Sequence, residues 1–294
     1  MSRLTLDPLS RSYPDWARIL SEPPRLRVLG ALEEGPRVAI VGTRKPTPEA
    51  QAFAFGLGRD LADAGVVVWS GGAVGIDAAA HAGAVSVNRS TVAVIGSGLD
   101  RPYPEENAEL FEKIVAAGGA LVSPFEDRDL AMRPRFFQRN RVLAAAVSVL
   151  VIVECSFRSG ALNAAKWARE LGKRVAVVPH SPWAISGRGC LEEIRRGASV
   201  VTSVEDIVRL GGFDVLQAPP KPAKAEQREL PFISMDPREA KVLTLLASPR
   251  SAADLCEALD ESPGSIATLL LDLTLRGAIE EIAGGLVVRR SHPT

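Results

Sequence analysis

The strongest constraint on the fold is a series of short, almost wholly apolar segments that recur along the first two thirds of the chain. They are "RVAIVG", "GVVVWS", "TVAVIG", "GALVS", "VLVIVE", "RVAVVP" and "ASVVTS", at 37–42, 65–70, 91–96, 119–123, 149–154, 174–179 and 198–203. Apolar residues are consecutive in each segment, a pattern typical of strands that are buried on both faces of a sheet. We therefore expect these segments to be the strands of a central sheet.

Stretches with helical character lie between the predicted strands. The predicted helices are 48–64, 75–86, 105–117, 136–147, 160–171, 189–196 and 204–210. Regular alternation of strand and helix produces right-handed β–α–β crossovers and a sheet that is covered by helices on both faces. The fold class predicted for residues 37–212 is therefore α/β, with a doubly wound, mostly parallel Rossmann-like sheet.

The remaining segments predict a strap, a linker and a second domain. Residues 1–36 are punctuated by prolines, and we expect them to lie as a strap on the main domain. Residues 213–236 are rich in Pro, Ala, Lys and Glu, which indicates a linker. Residues 237–294 contain three helical segments and then two short strands, the order of a small winged-helix-like domain. Its third helix has Arg276 as its only basic residue, which favours contact with a protein or control of dimerisation over the reading of a duplex DNA sequence.

The bulk composition excludes several classes of protein. The formal net charge is zero, so any nucleic-acid site must be a local cluster of basic side chains. The three cysteines, Cys155, Cys190 and Cys256, are widely spaced, so we expect free thiols in a reducing compartment and neither a disulfide framework nor a metal site. No apolar run approaches the ~18–20 residues of a membrane helix, and no secretion signal is recognisable. We therefore expect a cytoplasmic protein that does not contact a membrane.

Glycine-rich turns follow several of the predicted strands. They are Gly42-Thr43-Arg44, Gly71-Gly72-Ala73-Val74-Gly75, Gly96-Ser97-Gly98 and, a little further from its strand, Arg158-Ser159-Gly160. The carboxyl ends of parallel strands meet at one edge of the sheet, where ligands of such folds bind. Glycine lets backbone N–H groups approach an anion, and helix N-termini add a partial positive charge. Any one of these turns is equally explained by tight packing, but together they predict an anion-binding edge.

The identity of the anion is narrowed by motifs that are missing. A GxGxxG turn does not follow the first predicted strand, and the Walker lysine motif is absent, so NAD and ATP sites are disfavoured and no cofactor is expected. Asp77 and His81 share a helix face, but no third group completes a nucleophile constellation. We interpret Asp77 as an acceptor for free N–H groups and His81 as a packing residue.

The segment "RPRFFQRNRVLAA" interleaves arginines with Phe136 and Phe137 near a helix start. Single-stranded nucleic acid needs positive charge for its phosphates and flat side chains for its bases. Phe136 and Phe137 are therefore candidates for base stacking. A basic helix start with two core phenylalanines explains the same spacing equally well.

Together the motifs resemble one known family, and they occur in its order. They are "VAIVGTRKPT", "SGGAVGIDAAAHAGAV", "TVAVIGSGLDRPYPEEN", "FFQRNRVLAA", "VIVECSFRSGALNAAKWARELGKRVAVVP" and "GRGCLEEIRRGASVV". This chain resembles the DNA-processing protein A (DprA, also called Smf) family over about 13–205 and 237–290.

The resemblance implies a non-catalytic protein that binds and protects single-stranded DNA and hands it to the recombinase RecA in natural transformation. It also implies a homodimer formed through the Rossmann-like domain. The residues that match the family's motifs, and that it implies for DNA binding, are Gly42, Arg44, Ser70, Gly71, Gly72, Gly75, Arg139, Asn140, Arg141, Arg158, Ser159 and Gly160. Three positions depart from the family pattern: Val74 replaces a basic residue, Pro124 replaces an acidic one, and His180 replaces a glycine.

Two other functions are compatible with this fold. The first is an enzyme of the nucleoside-monophosphate phosphoribohydrolase type, although the chain lacks that group's PGGxGTxxE loop. The second is a nucleotide-sensing regulator that would use the same sheet edge.

Overall fold

The computed structural model describes residues 2–157, 159–214, 237–275, 278–282 and 285–289. The chain divides into two compact units, Met1–Pro219 and Pro220–Thr294. Each unit has its own hydrophobic core.

The first unit is built around one sheet that contains nine strands in its described residues. The strands are β1 (Arg3–Leu6), β2 (Leu26–Gly30), β3 (Arg37–Val41), β4 (Val67–Ser70), β5 (Thr91–Val94), β6 (Ala120–Ser123), β7 (Val149–Ile152), β8 (Arg174–Val177) and β9 (Ser199–Val200). They lie in the order β1-β2-β6-β5-β4-β3-β7-β8-β9. Strands β3 to β9 are parallel, and the chain order reverses between β3 and β7. The predicted doubly wound, mostly parallel Rossmann-like sheet is confirmed.

The N-terminal lead is part of this sheet, which the prediction of a strap did not include. Strand β1 pairs antiparallel with β2, and β2 pairs antiparallel with β6. The short helix α1 (Asp15–Arg18) lies between the two strands, and Trp16 packs edge-to-face on Trp69, with ring centroids 5.4 Å apart. The lead therefore extends the sheet and contributes to its core.

Helices cover both faces of the sheet. They are α2 (Pro48–Asp63), α3 (Ile76–Ser86), α4 (Ala108–Ala116), α5 (Arg133–Ala146), α6 (Gly160–Glu170), α7 (Arg188–Arg195) and α8 (Val204–Gly211). Successive residues of a strand point to opposite faces. In β3, for example, Val38 and Ile40 pack on the side of α2 and α3, whereas Ala39 and Val41 pack on the side of α5 and α6. No helix in the described ranges is long and apolar enough to cross a membrane.

Helix α5 begins at Arg133, three residues before the predicted start. Pro134 lies in its first turn, where the missing N–H has no intrahelical partner to lose and the fixed φ suits a helix. The whole arginine- and phenylalanine-rich segment therefore belongs to one helix. The direction of each of its side chains follows from helical periodicity.

The second unit contains α9 (Pro237–Leu245), α10 (Ala252–Leu259) and α11 (Pro263–Leu275). Its short strands β10 (Arg250–Ser251), β11 (Ile279–Ile282) and β12 (Leu286–Arg289) form an antiparallel sheet in the order β10-β12-β11. Ser251 and Asp254 form a capping box at the start of α10. Arg276, on which the expectation of protein contact rests, lies outside the described residues.

Candidate nucleic-acid interface

A cavity of about 540 Å³ opens at the carboxyl ends of β3 and β7, where the strand order reverses. Its walls come from the segment after β3, the turn after β4 with the start of α3, the segment between β7 and α6 with the start of α6, and helix α5. The predicted site residues among its lining are Gly42, Arg44, Phe136, Phe137, Arg139, Asn140, Ser159 and Gly160. The structure thus brings together residues that are more than a hundred positions apart in the sequence.

The glycine turn after β4 is held by a buried carboxylate. Asp77 accepts hydrogen bonds from the backbone N–H groups of Gly71, at 3.0 Å, and Ala73, at 3.4 Å. Gly72 and Gly75 have φ of +66° and +84°, a backbone region that L side chains rarely adopt. Asp77 therefore has the role that the sequence predicted, an acceptor for loop N–H groups.

Arg139 lies directly on this glycine turn. A Cβ at position 71 would overlap the Arg139 guanidinium, so any larger residue there would have to displace that buried group. The Arg139 side chain is buried, only 5% exposed, and the negative charge of Asp77 favours its protonated form. Burial lowers the pKa of Arg139 to about 10, while Asp77 acts in the opposite direction. Burial raises the pKa of Asp77, and the positive charge of Arg139 acts to lower it. Arg139 thus supports the turn from within, and its charge is offset locally.

Arg44 and Arg133 are exposed cationic side chains of the cavity wall, and they lie with Phe136 and Phe137 in its lining. The Arg44 guanidinium carbon lies 5.1 Å from the centroid of the Phe136 ring, a cation–π contact. Phe137 is 41% exposed, and Arg133 lines the same cavity from the first turn of α5. Among the described residues, neither Arg44 nor Arg133 has an ion-pair partner. This part of the wall therefore presents positive charge beside two aromatic rings.

Asn140 and Ser159 position the segment that leads into α6. The Asn140 side-chain amide donates to the Gly160 carbonyl at 3.2 Å and to Asn163 Oδ1 at 3.0 Å. Ser159 caps α6 by accepting from the Ala161 N–H at 3.2 Å.

The Ser70 hydroxyl is fully buried and donates to the Ile40 carbonyl. Ser70 therefore ties β4 to β3 beneath the cavity and does not line it.

One predicted arginine, Arg141, faces away from the cavity. Arg141 donates to the Glu22 carbonyl at 3.0 Å and so faces the N-terminal lead. Residues two apart on a helix point about 200° apart, so Arg139 and Arg141 cannot face the same cavity. The prediction of Arg141 as a residue of this surface is corrected on that ground. Arg158 lies outside the described residues.

Comparison with known proteins decides the family. The family model of DNA recombination-mediator protein A matches residues 5–211. The chain belongs to this family. Protein Smf of Synechocystis is 37% identical over 219 residues, covering 71% of this chain and 55% of that protein. The chain thus spans about half the length of curated relatives that it matches.

Solved structures of the family have the same fold. DNA processing protein A from Helicobacter pylori, described by its single-stranded DNA binding mode, superposes with a TM-score of 0.64 at 28% identity. That match covers 72% of this chain and 97% of the other. DNA processing protein A from Streptococcus pneumoniae gives a TM-score of 0.63 at 31% identity, over 70% of this chain and 73% of the other.

Val74, one of the departures from the recombination-mediator pattern, lines a small hollow of about 50 Å³ next to the main cavity. Arg44 and Phe136 border both spaces, and Tyr103 and Glu106 also line the hollow. The glycine turn therefore offers an apolar side chain here, and the positive charge of this part of the surface comes from Arg44.

Thr43, two residues after β3, belongs to the predicted turn Gly42-Thr43-Arg44, whereas Ser156 is a polar lining residue that the sequence analysis did not name. Ser156 lies four residues after β7, so its position near a strand end was a signal that could have identified it. His81 is fully buried, and its Nδ1 lies 2.8 Å from the Thr91 hydroxyl. Burial, with a smaller contribution from Arg139, lowers the pKa of His81 to about 3. The ring is therefore neutral, and the interpretation of His81 as a packing residue is confirmed.

Proposed function

We propose that this chain binds single-stranded DNA in the cavity between the carboxyl ends of β3 and β7. The observation that carries the proposal is the unpaired Arg44 guanidinium stacked on Phe136 at the cavity wall, beside Arg133 and Phe137. Proteins that bind single strands combine cationic groups for phosphates with aromatic faces for bases. The single-stranded DNA binding mode described for the structurally similar Helicobacter pylori protein supports single-stranded DNA as the ligand.

The proposed division of labour follows from exposure and charge. Arg44 and Arg133 contact phosphates because they are exposed and have no ion-pair partner in the part of the chain that the structure describes. Phe136 and Phe137 stack bases. Gly160, with open space where a Cβ would lie, lets the strand approach the backbone, whereas Gly42, Gly71, Gly72 and Gly75 give the turns beside the strand their close packing. Arg139, Asn140, Ser70 and Ser159 hold these groups in place, and Arg158 is proposed as a further contact from its sequence position alone.

We further propose that the protein has no catalytic activity of its own. Asp77, the carboxylate that lines the cavity, is committed to loop N–H groups and to Arg139. His81 is sealed in the core as a neutral ring. Thr43, Ser156 and Ser159 line the cavity, but no histidine or free carboxylate among the described lining residues is placed to activate them as nucleophiles.

A mediator role in the cytoplasm, with transfer of the bound strand to RecA, is proposed from family membership. A homodimer through the Rossmann-like domain is proposed on the same basis. The sheet offers a place for it: β9 is the outermost strand on its side, and Val200 on β9 is 50% exposed. Edge strands with exposed apolar residues readily pair with a second chain.

The test of DNA binding is a titration of the purified chain with a fluorescein-labelled 30-nucleotide single strand and with duplex of equal length, followed by anisotropy at two salt concentrations. We expect preference for the single strand and a log–log salt slope of about −0.7 for each phosphate neutralised. Equal affinity for the duplex, or affinity that is independent of salt, would refute the proposal. Release of free base from nucleoside monophosphates would refute the non-enzymatic assignment.

The mediator role and the dimer need separate measurements. Sedimentation velocity of the full chain and of Val200→Glu tests the dimer, because a charge on β9 is expected to shift the protein to monomer. A monomeric wild-type chain would refute the proposed dimer. Retention of RecA on immobilised chain in the presence of single strand tests the partner, and no retention above a blank surface would refute it.

A further inference from the structure

Two cysteines that are 35 positions apart in sequence form a buried pair behind the cavity wall. Cys155 lies three residues after β7, and Cys190 is in the first turn of α7. Their Sγ atoms are 4.0 Å apart, and both side chains are fully buried. The two segments touch, because the Gly189 N–H donates to the Cys155 carbonyl at 2.9 Å. A Cβ at position 189 would come within 2.5 Å of Cys155 Sγ, so glycine leaves room for that thiol.

His180 makes the two thiols chemically different. Its Nδ1–H donates to the Val178 carbonyl at 3.0 Å, and Nε2 lies 4.0 Å from Glu154 Oε1. Hydrogen bonding to Cys155, with a smaller contribution from His180, lowers the pKa of Cys190, although burial acts in the opposite direction. The same contact between the thiols, together with burial, raises the pKa of Cys155. Contact with Cys190 raises the pKa of His180, and the charge of Glu154 adds to this effect. The environment thus favours a thiolate at Cys190 beside a protonated thiol at Cys155.

The geometry excludes two simpler interpretations. The described residues contain no group of three His, Cys, Asp or Glu side chains arranged to hold a metal ion, so the cluster is not a metal site. Neither cysteine lines the DNA cavity, so the thiols are not ligand contacts. What remains is a pair of sulfur atoms that must approach by about 2 Å to reach the bond length of a disulfide.

We propose that Cys155 and Cys190 are a peroxide-oxidisable thiol pair, in which Cys190 is attacked first and Cys155 resolves the product to an intramolecular disulfide. The Cys190 thiolate attacks one oxygen of hydrogen peroxide, the O–O bond breaks, and a sulfenic acid and hydroxide form. Cys155 sulfur then attacks the Cys190 sulfur, the S–O bond breaks, and the S–S bond forms. The Cys155 proton leaves with the hydroxyl as water. In sum, two thiols and one peroxide give one disulfide and two waters.

The experiment uses the full chain carrying Cys256→Ser, so that the pair supplies the only thiols. Folded, reduced protein is treated with hydrogen peroxide, quenched with catalase and denatured for thiol titration and mass spectrometry. We expect the thiol count to fall from two to zero, with a mass loss of about 2 Da. Tryptic peptides 142–158 and 189–195 should then be joined. The same joined peptides are expected from the unsubstituted chain, which guards against any effect of the Cys256 substitution on folding.

Single variants in this background test the order of the two steps. Cys155→Ser should accumulate a dimedone-reactive sulfenic acid on Cys190, whereas Cys190→Ser should react about tenfold more slowly, because the remaining thiol is a poorer thiolate. His180→Asn should slow disulfide formation about threefold or more, because the thiolate loses its neighbouring donor. Two thiols that persist in treated, folded protein would overturn the proposal. Equal oxidation of the Cys155→Ser and Cys190→Ser variants would overturn the assigned order.

Discussion

Substitution of Arg44 by alanine is the most informative perturbation of the cavity. Arg44 is exposed, has no ion-pair partner within the described residues, and contacts Phe136 through its guanidinium. A hydrogen bond to a charged group contributes about 1.5–3 kcal/mol, so loss of one phosphate contact should weaken single-strand affinity by about 10- to 150-fold. The log–log salt slope should become shallower by about 0.7, because one fewer phosphate is neutralised.

The matched control for Arg44→Ala is Arg89→Ala. Arg89 is also an exposed arginine, but it lies just before β5, at the opposite edge of the sheet. The free energy of unfolding of both variants should stay within about 0.5–1 kcal/mol of the parent, which is the contribution of an exposed cation–π contact such as that of Arg44. Anisotropy titrations at 50 and 200 mM salt measure affinity and salt slope together. Between these two concentrations the affinity of a protein that contacts several phosphates falls by about a thousandfold. Binding of Arg44→Ala within twofold of the parent at an unchanged slope, or an equal loss of affinity in Arg89→Ala, would refute the proposed phosphate contact of Arg44.

Three further predictions concern the turn, the stacking surface and the core. Gly71→Ala should destabilise the first unit by about 1–3 kcal/mol, because the new Cβ overlaps the Arg139 guanidinium. Tryptophan fluorescence during urea unfolding measures this loss, since all four tryptophans lie in that unit. An unchanged free energy of unfolding would contradict the prediction. Phe137→Ala should leave the urea midpoint unchanged but weaken single-strand binding by about 1–3 kcal/mol, the cost of one lost base stack; full affinity would argue against stacking there. His81 has a pKa of about 3 in the fold and 6.5 as its ordinary value, so the unfolded chain takes up the proton first as the pH falls. Its contribution to stability is complete above pH 6.5 and is lost progressively toward pH 3; His81→Asn should therefore flatten the fall in unfolding free energy over that range, and an identical pH profile for both proteins would contradict the assignment.

The central sheet could be predicted because the parallel strands β3 to β8 each contain consecutive buried apolar residues. Strand β3 is the clearest case, since Val38 to Val41 are all buried. The antiparallel edge was missed for a physical reason. Strand β1 is mostly exposed, and β2 contains the buried Arg27, which pairs with Glu126, so neither has the pattern of a strand buried on both faces. The partner of β2, strand β6, is also about ninety residues away, and such distant pairing leaves no local signal.

The sequence could predict which segments form the candidate site, but not how their individual side chains are arranged. Glycine turns at strand ends and the arginine–phenylalanine segment pointed to the correct edge, because parallel strands must end together there. The roles of individual arginines were not visible, since they depend on where α5 begins. A start at Arg133 buries Arg139 on the glycine turn and turns Arg141 toward Glu22. Arg44 and Phe136 form one surface only because β3 and α5 converge at the reversal of strand order.

The central claim is that a single strand lies against Arg44, Phe136 and Phe137. Photocrosslinking with an oligonucleotide that carries 5-bromouracil tests it directly, because the excited base couples to aromatic side chains that it stacks on. Digestion with trypsin isolates Phe136 and Phe137 in the peptide 136–139, and mass spectrometry locates the adduct. We expect the crosslink in this peptide, and its loss when the strand is competed by unlabelled oligonucleotide. Crosslinks confined to the second unit, or to the edge of the sheet that carries Arg89, would contradict the account.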